Sequence, residues 1–184
     1  MKLRQLFFSI LALAFIPFAA GAQQASQPGA NPVATAVRSG VERAAKNMVA
    51  AADEMPADKY SFHPTPDQMS FGKLVTHMIN SNYGLCSKIS GVPLPTQDKP
   101  SETDPKDKLV AGLKASFDFC SQSLAKVDDS NLGEQLTFGG DRKLSRAAAM
   151  IALTNDFADH YSMAAAYLRA NGLLPPTAAQ PHKE

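Results

Sequence analysis

The sequence predicts an all-α protein built as a four-helix bundle. Three observations point there. Four stretches repeat apolar side chains every third or fourth position. Prolines and glycines cluster between those stretches rather than inside them. No stretch keeps the period-two alternation of a half-buried strand for long. With 184 residues the chain has room for one ordinary domain. Hydrophobic residues at 45% against 19% charged residues describe a chain that can bury a core, not a disordered one.

The first 22 residues read as an export signal. Lys2 and Arg4 supply the positive start, and residues 6–18 form an uncharged, almost wholly apolar run. Ala20-Gly21-Ala22 then provides the small-x-small pattern of a cleavage site. The run is shorter than the roughly 20 residues a helix needs to cross a bilayer, so no stable membrane anchor is expected after cleavage. Residues 23–32 (QQASQPGANP) read as a flexible leader. A periplasmic or secreted protein is expected, in a compartment where cysteines oxidise.

The bundle is expected over 33–176. In the first helix, over 33–55, Val37, Val41, Ala44, Ala45, Met48, Val49 and Ala52 form the apolar stripe, and Pro56 ends it. Residues 60–67 (YSFHPTPD) hold two prolines and cannot be helix interior. Ser70 is the expected N-cap of the second helix, whose stripe runs from Phe71 through Leu74, Met78 and Leu85 to Ile89, with Gly91 as its stop. Asp104 followed by Pro105 reads as N-cap and first helical position of the third helix, striped by Leu109, Leu113, Phe117, Cys120, Leu124 and Val127. Residues 130–143 carry a turn or small hairpin around Gly139-Gly140-Asp141. Ser145 is the expected cap of a long last helix ending at Asn171-Gly172, with Pro175-Pro176 beyond. Residues 177–184 are expected to be a disordered tail.

Charge removes some functions. Without the first 22 residues the chain holds 16 basic and 17 acidic residues, since two of the 18 Lys and Arg lie in the signal. That near-balance argues against a nucleic-acid partner. The chain also lacks the P-loop, GxGxxG and GxSxG signatures. Cys86 and Cys120 both fall on apolar positions late in their helices, and the oxidising compartment predicts a disulfide between them. Two buried free thiols are the alternative.

One constellation stands apart from the packing pattern. His77 sits within the second helix, while Asp156 and His160 lie one turn apart on one face of the fourth. Two imidazoles and a carboxylate from facing helices can make a three-ligand site for a divalent ion (Zn, Ni or Fe) with open positions. By spacing alone, an intrahelical ion pair and core histidines account for the same residues. Asp159 lies about 100° round the helix from His160 and is expected to face solvent. Ser81, Asn155 and Tyr161 are candidate pocket-lining residues, and no general base stands out. His63, in the proline-rich loop, and His182, in the tail, are not expected to be ligands.

The order of motifs adds a resemblance. Tyr60-Ser61-Phe62, Pro64-Thr65-Pro66, Ser70-Phe71-Gly72 and His77 resemble the opening of a DinB-like domain of the DinB/YfiT type. Residues 156–161 (DFADHY), Tyr167-Leu168-Arg169, Asn171-Gly172 and Pro175-Pro176 resemble that family's last helix and its exit. The resemblance implies a four-helix bundle holding a divalent metal through one His of helix two and two residues of helix four, here His77, Asp156 and His160. Many members place His-x-x-x-His on helix four, so Asp156 departs from the pattern. Ser162 and Met163 likewise stand where relatives commonly have Gly and Gln.

Relatives of this type include transferases and isomerases that use small cytoplasmic thiols. An exported chain lacks access to those thiols, which favours hydrolysis or plain metal binding. Two readings follow: a metal-dependent hydrolase or transferase acting on an unidentified small molecule, or a non-catalytic envelope protein binding metal or a partner. The Ala164-Ala165-Ala166 run permits close helix approach, within one chain or in a homodimer.

Overall fold

The computed structural model describes residues 30–96 and 98–179. The expected signal, most of the leader, the end of the tail and His182 lie outside the described residues. Four long helices, α1 (Pro32–Glu54), α2 (Phe71–Ser90), α3 (Lys106–Leu124) and α4 (Arg146–Ala170), form the bundle. Strands β1 (Gln135–Thr137) and β2 (Lys143–Ser145) make an antiparallel hairpin before α4, with Leu136 opposite Leu144. A short turn of helix, α5 (Pro176–Ala179), follows.

Each helix packs chiefly on two others. α3 touches α1 and α2, and α4 touches the same two, so the order round the bundle is α1, α3, α2, α4. Met48, Phe71, Met78, Leu113, Phe117 and Tyr167 fill the axis with almost no exposure. Burying such side chains stabilises the fold by roughly 1.5–3 kcal/mol each. A disulfide joins Cys86 of α2 to Cys120 of α3, their Cα atoms 5.2 Å apart. No helix among the described residues is long and apolar enough to cross a membrane.

Local signals place most boundaries. Ser70 Oγ accepts a hydrogen bond from the Lys73 N–H at 3.0 Å, and Ser145 Oγ accepts from Ala148 N–H at 3.2 Å, each capping its helix. Gly91 ends α2 at φ 74°, a left-handed conformation that suits glycine. Asp104 behaves differently from its expected role. α3 starts at Lys106 with Pro105 in the cap position, and the Asp104 carboxylate instead accepts from Ser101 N–H at 2.9 Å and Lys108 Nζ at 3.1 Å. Folding back onto its own loop satisfies that carboxylate without the helix end. Val127 lies beyond α3 yet remains buried.

The ends of the expected bundle also shift. Asn31 and Pro32, read as leader, belong to the start of α1. Residues 177–179, read as tail, form α5, because Tyr161 Oη donates to Thr177 Oγ1 at 3.0 Å and accepts from Thr177 N–H at 2.9 Å. The stretches that carried the resemblance pack on each other. Phe62 and Phe71 both meet the Tyr167 ring, and Tyr167 Oη donates to the Met69 carbonyl at 2.8 Å.

Candidate metal centre

α2 and α4 lie side by side, and that pairing sets His77 against Asp156 and His160. Each residue offers a ligand atom within 4.8 Å of the other two. The His77 and His160 rings stack with centroids 4.6 Å apart and planes 26° from parallel. His77 stands at the solvent-facing edge of α2, while His160 is only 8% exposed.

One turn of α4 orients His160. Its Nδ1–H donates to the Asp156 backbone carbonyl at 2.7 Å and lies 3.3 Å from Asp156 Oδ1. A carbonyl can only accept, so Nδ1 carries a proton, and in the neutral ring the Nε2 lone pair is left for another partner. The Asp156 side chain is less well served. Its Oδ2 is buried and has no hydrogen-bond partner among the described residues. Burial pushes the Asp156 carboxyl above its usual range. His160 and then His77 pull it back, and Asp159 pushes it up again.

These residues fit a divalent cation. Two imidazoles and a carboxylate are the borderline donors that Zn, Ni and Fe(II) accept. A buried carboxylate oxygen with no donor is a group that a cation would satisfy.

The other candidates separate. Ser81 stands beside the triad, its Oγ 3.3 Å from His77 Nε2. Tyr161 does not join it. One residue past His160 it turns about 100° round α4 and lines the groove between α1 and α4, about 300 Å³, with Arg43, Asn47 and Ser162. Asn155 and Asp159 are exposed. His63 is exposed too, its Nδ1–H donating to the Gln68 carbonyl at 2.8 Å. Sequence reasoning named Ser81 as pocket lining but missed its partner. The i, i+4 spacing of His77 and Ser81 was the available signal.

The DinB superfamily model matches residues 41–164, more than half of the chain. The chain belongs to the DinB superfamily. Two crystal structures of DinB-like proteins share the fold. The one from Bacillus subtilis is 18% identical, with 81% of this chain and 97% of that chain covered at a TM-score of 0.62. The one from Bacillus cereus is 14% identical, with 77% and 95% covered at a TM-score of 0.64. No curated protein matches. Within this DinB superfamily member, His77, Asp156 and His160 form a cluster that could hold a metal ion.

Proposed function

We propose that this protein is an exported DinB-like metalloprotein. In this reading His77, Asp156 and His160 bind one divalent metal, and the centre serves hydrolysis or group transfer on a small molecule. The observation that carries it is the buried, unpaired Asp156 Oδ2 beside two imidazoles. His160, fixed through Nδ1–H, presents Nε2 at a set angle. Asp156 adds the negative charge that burial makes costly without a cation. His77, at the solvent edge, leaves an approach for a substrate. A divalent ion with open positions supplies Lewis acidity and lowers the pKa of bound water toward neutrality. Export would deny this protein the cytoplasmic thiols, and that favours hydrolysis or plain metal binding.

The test is titration of Zn(II) and Ni(II) into metal-free protein and into His77→Ala, His160→Ala and Asp156→Ala. One site per chain is expected. Losing either imidazole should weaken it by about two orders of magnitude or more, beyond the roughly 10–100-fold seen when only an outer hydrogen-bond partner is lost. No binding in the parent, or parental affinity in both histidine variants, overturns the site. Unchanged binding in Asp156→Ala removes the carboxylate alone.

A further inference from the structure

A fourth side chain stands beside this cluster. Ser81 sits one turn after His77 on α2, partly buried, with Oγ 3.3 Å from His77 Nε2. Hydroxyls on these helices commonly turn to a carbonyl of their own helix. Thr76, Ser90, Ser116, Thr154 and Ser162 all do so. Ser81 does not. Among the described residues its hydroxyl has His77 as its one hydrogen-bond partner.

A neutral imidazole carries one N–H and one lone pair. In a metal-bound histidine the N–H is held by a fixed local partner and the lone pair goes to the ion. His160 already shows this division, with Nδ1–H spent on the Asp156 carbonyl and Nε2 left over. On His77 the nitrogen with a side-chain partner is the other one, Nε2. We propose that Ser81 is a positioning residue that accepts the His77 Nε2–H, so that His77 offers Nδ1 and His160 offers Nε2 to the same divalent cation. The proposal rests on the metal-binding reading. It adds that the two imidazoles ligate through unlike nitrogens, and that a hydroxyl selects the His77 tautomer.

Histidine ¹⁵N NMR tests this, with His77 assigned through a His77→Gln variant. Metal-free parent should hold His77 as the Nε2–H tautomer, Ser81→Ala should give a tautomer mixture, and Ser81→Thr should restore the parent signature. Adding Zn(II) should move the His77 Nδ1 and His160 Nε2 resonances. Ser81→Ala should bind Zn(II) about tenfold more weakly. A His77 Nδ1–H tautomer in the metal-free parent overturns the proposal. Zn(II) acting on His77 Nε2, or a Ser81→Ala variant with parental tautomer and affinity, does so too. If Zn(II) moves neither imidazole in the parent, the metal reading fails by itself, and the metal-free tautomers still decide the role of Ser81.

Discussion

At Asp156 stability and chemistry pull in opposite directions. The folded carboxyl is raised by burial, so the fold disfavours its charge. An unfolded Asp titrates near pH ~4. The stability associated with the protonated form is therefore full below that pH and is lost as pH rises through the folded value. Asp156→Asn is expected to make the metal-free protein more stable at neutral pH and to flatten that fall, while losing metal affinity. Urea midpoints measured across the acid range, beside a Zn(II) titration, check both. Equal or lower stability in the variant contradicts the cost assigned to the buried charge. Gly72 shows a different constraint. A Cβ there would stand 2.6 Å from the Glu102 carbonyl oxygen, backbone that cannot swing aside. The Ser70-Phe71-Gly72 motif was legible in sequence, but the reason for its glycine lies in a loop 30 residues away.

The elements divide by how far their signals reach. Ser70, Gly91 and Ser145 act within four residues of themselves, and the sequence reading placed them correctly. The start of α1 was read within one residue, but its cap was not legible. Asn31 makes no side-chain cap there. Instead both oxygens of Asp129, more than 90 residues on, accept from Val33 N–H at 2.9 Å and Ala34 N–H at 2.8 Å. Asn31 Oδ1 answers by accepting from Asp129 N–H at 3.0 Å. Capping normally depends on a neighbour, and nothing local marks a cap delivered from a distant loop. Asp129→Ala should cost about 1–2 kcal/mol, from lost hydrogen bonds and a lost charge at the positive helix end. Denaturant unfolding beside Asp104→Ala, whose carboxylate serves only its own loop and Lys108, separates the two. Equal losses would deny the long-range cap.

For the whole molecule, the order of helices round the bundle decides what meets what. The Cys86–Cys120 bridge ties α2 to α3 across 34 residues of chain. Loop entropy assigns it roughly 3–4 kcal/mol, which reduction should remove and a Cys86→Ala/Cys120→Ala variant should reproduce. Intact mass of protein recovered outside the cytoplasm, with thiol counting under denaturing, non-reducing conditions, should show a chain beginning at Gln23 with no free thiol. A chain beginning at Met1 contradicts the cleavage, and two free thiols contradict the bridge.

By itself the sequence determined the four helical periods, most of their ends, and the three residues of a candidate metal cluster. Periodicity and capping act over a few positions, so they are written locally. Spacing could place Asp156 and His160 on one face, but not say which helix faces them. Only the tertiary structure set α2 beside α4, turned Tyr161 into a separate groove, and left Asp156 Oδ2 buried without a donor among the described residues. Each of those depends on which helix becomes the neighbour, and that choice comes from burying all four apolar stripes at once.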